Sequence, residues 1–354
     1  MDIFSKIEKA YQNQMPFVVY RKPNIHIISG FFMNTKQLCF TNSFTENGFV
    51  FAPFDSNDAV ILIPSNQSSY FKEKLNLELI NHNTKEVFLD DDVSKLNHIR
   101  IVEEAIQTID TSDLKKIVIS RKEKVQLSSF NLITIYKKLL QNYNNAFVYV
   151  WFHPKIGLWL GATPETLLNI NDLAFKTMSL AGTQLYTNTE KVTWQKKELE
   201  EQQLVTDFIK NQLETISSKL KIDKTETVKA GNLLHLRTKV EGMLSSNASL
   251  KLLIRALHPT PAVCGLPRDL AKSFILENEN YNRKFYTGFL GEINLSNTDN
   301  LKKTSDLYVN LRCMEIENSV ANIYVGGGIT SDSESIKEWQ ETVSKSKTMK
   351  RVLF

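Results

Sequence analysis

Short β-rich runs closed by turn clusters, and never a strand–helix–strand alternation, set the architecture open to this chain. Phe17-Val18-Val19-Tyr20, Ile25-His26-Ile27-Ile28 and Ala59-Val60-Ile61-Leu62-Ile63 are separated by Lys22-Pro23-Asn24 or by Asn- and Ser-rich stretches. Lys116–Arg121 and Ala146–Phe152 read as buried strands, and Ser305–Ile316 pairs with Ser319–Val325 across Glu317-Asn318. Helices are expected around Lys95–Thr108 and Leu132–Asn142. The clearest helical pattern lies between about Glu190 and Leu220. There Leu204, Phe208, Ile209, Leu213, Ile216 and Leu220 recur three or four apart and form one apolar face. A last helix follows Gly326-Gly327-Gly328, with Ser331 and Glu334 in a capping-box pattern, and runs to about Arg351. Hairpins with long helices and no βαβ rhythm predict an α+β fold, its large, mainly antiparallel sheets flanked by helices.

Composition narrows the class of function. At 42% apolar and 23% charged residues the chain is an ordinary globular protein, and its 354 residues suit two domains or one large sheet-rich domain. No repeat or low-complexity linker interrupts it. A net charge of +4 is mild, and no basic, aromatic-interleaved run offers itself to a phosphate backbone, so no nucleic acid is expected. Cys39, Cys264 and Cys313 are odd in number and far apart, which reads as free thiols in a reducing compartment without zinc spacing. Met1–Ala10 carries Asp2 and Glu8 and is no signal peptide, and the longest apolar run, Ala146–Phe152, is far short of the roughly 20 residues that span a bilayer. A cytoplasmic protein with no membrane partner is the default, with a monomer as its assembly.

Two pairs of glutamates carry the first chemical signal. Glu198 and Glu201 lie three apart near the start of one helix, and Glu338 and Glu341 repeat that spacing near the start of the last. Each pair shares a helix face. If the helices meet, four carboxylates converge and need a hard cation between them, for which Mg²⁺ is the natural choice. The alternative is that these acids merely complement helix dipoles. Eleven of the 13 glycines follow residue 150, which places close backbone approaches, and the chemistry, in the C-terminal part. Tyr324-Val325-Gly326-Gly327-Gly328-Ile329-Thr330 leads into the last helix, so the glycine amides either cradle a phosphate or carboxylate or simply form a tight turn. Arg312 and Lys345 could help hold an anion or lie on the surface.

Several motifs then follow in one order. Lys116-Ile117-Val118-Ile119-Ser120-Arg121 precedes Gly161-Ala162-Thr163-Pro164-Glu165, Ser179-Leu180-Ala181-Gly182-Thr183 and Lys197-Glu198-Leu199-Glu200-Glu201. His235-Leu236-Arg237-Thr238, His258-Pro259-Thr260-Pro261-Ala262-Val263, Tyr286-Thr287-Gly288, Gly326-Gly327-Gly328-Ile329 and Glu338-Trp339-Gln340-Glu341-Thr342 complete the set. This series resembles the chorismate-utilising enzymes, which include isochorismate, salicylate, anthranilate and aminodeoxychorismate synthases. Residues 95–354 match as the chorismate-binding catalytic core, and 1–94 correspond to the family's variable N-terminal part. The resemblance implies one domain over 1–354 with the active site between sheets and helices. By similarity, Glu201 and Glu341 are the principal Mg²⁺ ligands, with Glu198 and Glu338 acting through metal-bound water. Arg312, Tyr286, Lys345 and the Gly326, Gly327 and Gly328 amides hold the carboxylates of chorismate, and Ala181, Gly182, Thr183 and His235 line the ring site.

Within the family the resemblance points to the isochorismate synthase branch. Lys116 matches the lysine that activates water there, and Ala181 stands where aminodeoxychorismate-forming members often have a lysine, so no covalent intermediate forms through it. No glutamine-amidotransferase domain accompanies these residues to supply ammonia. The implied reaction is an isomerisation: Lys116 deprotonates water attacking C2, the double bonds shift, and Glu165 protonates the hydroxyl leaving C4. Without the ordered motifs, Lys116 would read as an exposed strand start and Glu165 as a turn or helix-start residue. Salicylate synthase, which goes on to eliminate pyruvate, is the alternative within the family. A non-catalytic anion-binding protein on the same fold is the alternative of another class. The product would enter menaquinone or catechol siderophore biosynthesis, with menaquinone favoured by the compact chain. Two departures stand out: Gln202 replaces a histidine, and Cys264 replaces a glycine, which would strain the backbone if that site needs positive φ.

Overall fold

The computed structural model describes residues 1–77, 92–186, 192–230, 233–296 and 302–354. α1 (Ile3–Gln12) leads into β1 (Phe17–Arg21), β2 (Ile27–Met33), β3 (Cys39–Thr41), β4 (Gly48–Ala52), β5 (Val60–Pro64) and β6 (Ser68–Lys74). Next come α2 (Asp92–Thr111), β7 (Lys116–Gln126), α3 (Leu132–Asn142), β8 (Phe147–His153), β9 (Gly157–Thr163), β10 (Thr166–Asn171) and β11 (Ala174–Leu185). α4 (Lys196–Glu214), β12 (Ser217–Ile222), β13 (Glu226–Ala230), β14 (Leu233–Leu244), α5 (Leu250–Leu257), β15 (Gly265–Leu266) and α6 (Arg268–Asn278) follow. The chain closes with β16 (Phe289–Ser296), β17 (Lys303–Val309), β18 (Cys313–Glu317), β19 (Val320–Ile329) and α7 (Ser335–Leu353).

Among the described residues the strands form two sheets, and every pairing is antiparallel. One runs β15-β7-β19-β18-β9-β8-β1-β2-β6; the other runs β12-β14-β11-β10-β17-β16-β4-β5-β3, with β13 also on β14. The α+β fold with antiparallel sheets flanked by helices holds. Residues 1–94 contribute to both sheets, since β1 pairs with β8 and β4 with β16.

Side-chain alternation explains the layering. Along β8, Phe147, Tyr149 and Trp151 point into an aromatic core between the sheets, where Phe49 and Phe51 of β4 meet them. The intervening Val148, Val150 and Phe152 face an outer core under α1, α3 and the end of α7. Val50 and Ala52 face outward beneath α4 and α5, which bury Val205, Ile209, Leu213, Leu253 and Leu257 on the second sheet. Strands covered on both faces need apolar residues at every position, so Ala146–Phe152 reads as one unbroken apolar run. α2 and α6 cover Ile117, Ile119 and Ile329 at the edge where β7 and β19 pair.

Several boundaries differ from the sequence reading. The helix expected over 190–220 ends at Glu214, and Leu204 lies on its exposed side. Ile216 and Leu220 instead flank or belong to β12, because positions four apart share a face in a strand as well as in a helix. Residue 190 lies outside the described residues. Ser305–Ile316 is not one strand: β17 and β18 belong to different sheets, with Asn310-Leu311-Arg312 crossing between them. The β18–β19 hairpin turns at Asn318 and Ser319, both at positive φ. Gly326-Gly327-Gly328 is extended strand, paired with Ser120, Ile119 and Val118. No capping box starts α7: its N-cap is Glu334 without a side-chain bond, and the Thr330 N–H donates to Ser333 Oγ at 3.1 Å. α1, capped by Asp2 accepting from the Ser5 N–H at 2.9 Å, was not anticipated.

Candidate active site

A cavity of about 260 Å³ opens where the β7–β19 edge of one sheet and the β11–β14 strands of the other lie under the starts of α4 and α7. Lys116, Glu165, Ala181, Gly182, His235, Tyr286, Arg312, Gly326, Gly327, Gly328 and Lys345 all line it, as do Glu198, Glu201, Glu338 and Glu341. Fifteen of the sixteen expected site residues therefore share one cavity. The sixteenth, Thr183, has its backbone in β11 opposite His235, and its side chain lies outside the described residues.

The glycines of β19 are there for room rather than for a turn. A Cβ at Gly328 would lie 2.8 Å from Lys116 Cε, and one at Gly327 would lie 3.1 Å from Glu338 Oε2. Side chains from β7, α4 and α7 occupy the space that β19 leaves empty. Lys116, first residue of β7, donates to Glu201 Oε1 at 2.6 Å. The other oxygen of Glu201 accepts the Gly182 N–H at 3.2 Å. Gly182 sits at φ +65°, where the β11–β14 register shifts, and a Cβ there would lie 3.1 Å from Glu198 Cβ. The bulge thus brings α4 close and aims one amide at its glutamate. On α7, Lys345 bridges Glu341 Oε1 at 2.5 Å and Gly326 O at 2.8 Å.

Among the described residues, no three acidic, imidazole or thiol groups close on one point as a preformed metal cage. Glu201 leans on Lys116 and Glu341 on Lys345 instead. Glu198 Oε2 is nevertheless buried without a hydrogen-bond partner, a costly state for a carboxylate that a cation would relieve. The lining also carries five glutamates against three cationic side chains, Lys116, Arg312 and Lys345. Such a cavity repels an anionic ligand until a cation enters with it. Oxygen-only donors on an open site fit a hard divalent ion that completes its shell with water and substrate.

Burial pushes the Glu165 carboxyl up to about 7, against the pull of Lys116 and Lys345. Pro164 and the end of β9 place it, and its N–H donates to Thr163 Oγ1 at 3.3 Å. Burial also raises the Tyr286 phenol, which stays a hydroxyl, and lowers His235, whose Nδ1 faces Gly182 O at 3.2 Å as a neutral ring. Arg312, at φ +47°, is half-buried, with Nη1 3.4 Å from Lys345 O.

The sequence reading missed Gly265 and gave Gln202 and Thr287 no role of their own. Gly265, at φ +140°, packs so tightly that a Cβ would lie 2.2 Å from Lys116 O, so it helps seat the lysine. The strain expected at Cys264 is absent there: its N–H donates to Thr260 O at 3.0 Å, and the positive φ falls on the glycine that follows. Gln202 faces away from the cavity and bonds Ser179 Oγ at 2.8 Å and Thr238 Oγ1 at 2.9 Å, fastening α4 to β11 and β14. Thr287 also lines the cavity, at φ +60°.

An open, glutamate-rich cavity between antiparallel sheets, with a buried amine and a carboxyl poised near neutrality, defines a site for acid–base chemistry on a small anion. The model of the family described as chorismate binding enzyme matches residues 49–354, and the chain belongs to that family. It is 29% identical over 271 residues to the isochorismate synthase MenF of Escherichia coli strain K12, covering 73% of this chain and 60% of that protein. It is 32% identical over 204 residues to the isochorismate synthase DhbC of Bacillus subtilis strain 168, covering 55% of this chain and 50% of that protein. The chain thus spans half to three-fifths of these relatives' length. In fold it is similar to the menaquinone-specific isochorismate synthase MenF of E. coli, with TM-score 0.80, 22% identity and coverage of 100% of this chain and 92% of that one. Anthranilate synthase component I of Streptococcus pneumoniae TIGR4 is also similar, with TM-score 0.69, 18% identity and coverage of 94% and 89%.

Proposed function

We propose that the chain is an isochorismate synthase, which adds water to C2 of chorismate and releases the C4 hydroxyl. One observation carries the reading: a buried amine, Lys116, and a buried carboxyl near pKa 7, Glu165, line the same cavity. Lys116 takes a proton from water as its oxygen bonds to C2. The two ring double bonds each move one bond along, and Glu165 gives its proton to the departing C4 hydroxyl, leaving as water. A carboxyl that remains half protonated at neutral pH is suited to that donation. Ala181 offers no nucleophile of its own, so water from outside the chain does the attacking.

Mg²⁺ would be held by Glu201 and Glu341 with Glu198 and Glu338 behind them, and it supplies positive charge against a ring carboxylate. Arg312, Tyr286, Lys345 and the Gly326–Gly328 backbone hold the substrate's carboxylates, while Gly182, Thr183 and His235 bound the ring site. The relatives include menaquinone-specific and vibriobactin-specific isochorismate synthases, so the product enters menaquinone or siderophore synthesis. Residues 1–354 act as one domain, a reading supported by β1 and β4, which pair into the two sheets, and a monomer is the assembly proposed. No helix among the described residues is long and apolar enough to cross a membrane.

Incubating the purified chain with chorismate and Mg²⁺, with product analysis by NMR, tests the reading. Isochorismate alone is expected. Salicylate with pyruvate would reassign it as a salicylate synthase, and unchanged chorismate would leave an anion-binding protein.

A further inference from the structure

Behind the cavity wall lies a group that the mechanism does not use. Arg283, in the link between α6 and β16, is buried against Glu279, each with 2% of its side chain exposed. All five N–H donors of its guanidinium find acceptors. Nε donates to Glu279 Oε2 at 2.7 Å, and Nη2 donates to Glu279 Oε1 at 2.5 Å and Val118 O at 2.7 Å. Nη1 donates to Val263 O at 3.0 Å and to Thr287 Oγ1 at 3.3 Å. Glu279 Oε1 also accepts the Ser120 N–H at 2.7 Å, and Phe54 stacks on the guanidinium at 4.5 Å.

The three acceptors other than Glu279 belong to three separate pieces of cavity lining. Val118 lies two residues past Lys116 on β7, Val263 precedes the turn that seats Lys116, and Thr287 adjoins Tyr286. Thr287 is β-branched and held at φ +60°, a conformation that survives only where the surroundings impose it. A planar five-donor fork can impose it; a lysine, with three donors radiating from one atom, cannot reach all three pieces at once.

We infer that Arg283 is a positioning residue for the reaction: it fixes the Lys116 strand and the Tyr286–Thr287 turn in one rigid wall, so that base and substrate clamp keep their spacing. This rests on the proposed chorismate reaction, and turnover by the parent protein is the control that separates the two. A small misplacement of reacting groups by a remote change costs up to ~10²-fold in rate.

The test compares Arg283→Lys with the parent in chorismate turnover, alongside thermal unfolding. Expected is a folded variant whose kcat falls ~10²-fold while KM stays within about threefold, because the site binds but misaligns. Thr287→Val, which removes one acceptor and leaves the pair with Glu279 intact, serves if Arg283→Lys does not fold. It should lower kcat in the same sense, and the two changes combined should cost less than the sum of their separate effects. Parent-like kcat in a folded Arg283→Lys or in Thr287→Val, or fully additive effects, would overturn the inference while leaving the parent's activity standing.

Discussion

α4 and α7 carry the same pair of glutamates at the same spacing, yet they are held in different ways. The buried face of α4 is neutral: Gln202, Thr206, Val205, Ile209 and Leu213 lie against the sheet, with Gln202 bonded to Ser179 and Thr238. α7 is held by charge. Arg121 stacks on Trp339 at 4.3 Å and donates to Thr342 Oγ1 at 2.8 Å, and Lys350 pairs with Glu123. The lysines differ as well. Glu341 is paired by Lys345 of its own helix, whereas Glu201 is paired by Lys116 from a strand far away in sequence. Glu341 is thus paired within its own helix, and Glu201 by a group that the tertiary fold brings to it. Lys116, the base in the proposed reaction, belongs to the second arrangement.

The comparison breaks first on the lysines. Lys116→Met is expected to lower kcat on chorismate by about 10²–10⁴-fold, the usual worth of a general base, with the fold intact by circular dichroism. Lys345→Met should cost much less in kcat and appear mainly in KM. Equal kcat losses would mean that the two lysines play one role.

Glu165 senses both arrangements, because Lys116 and Lys345 each pull its carboxyl down against burial. With the proton needed on Glu165, kcat/KM should fall as pH rises above about 7. Lys345→Met removes a positive charge, raises that carboxyl further and moves the limb to higher pH. The folded carboxyl titrates near 7, above its ordinary 4.5, so its contribution to stability is complete below 4.5 and lost as pH rises through 7. Glu165→Gln should therefore gain stability relative to the parent over that window in urea unfolding, and a flat difference would contradict the burial argument.

Removing the clamps comes next in size. Arg121→Met gives up charge-assisted bonds and a cation–π contact and should cost about 2–3 kcal/mol in urea unfolding. Gln202→Leu removes neutral hydrogen bonds but also the unpartnered Gln202 Oε1, so about 1 kcal/mol is expected. The reverse order would mean that α4, not α7, is the more firmly held. Arg100→Ala on α2 breaks only an exposed pair with Glu104 and should cost under about 0.5 kcal/mol.

The layers of the fold were legible because alternation and turn chemistry are local: the α3 limits followed directly, and the β18–β19 hairpin was found with its turn one residue early and its first strand too long. The end of α4 was not, since Ile216 and Leu220 suit either period and only pairing with β14 decides between them. Glu198, Glu201, Glu338 and Glu341 could be picked out by spacing, but their convergence was an inference from family resemblance. Of the two readings of Gly326–Gly328, the tight turn gives way to extended strand. Three consecutive glycines suggest a turn until the side chains that need their space are known. Arg283 and Gly265 left no local signal, because what they do depends on groups brought near by the sheets.

The most direct test is a crystal structure with Mg²⁺ and isochorismate bound. Convergence of α4 and α7 predicts one ion with Glu201 and Glu341 oxygens at about 2.0–2.1 Å and the product's ring carboxylate beside it. An ion held elsewhere, or product bound with those glutamates still on Lys116 and Lys345, would contradict the account.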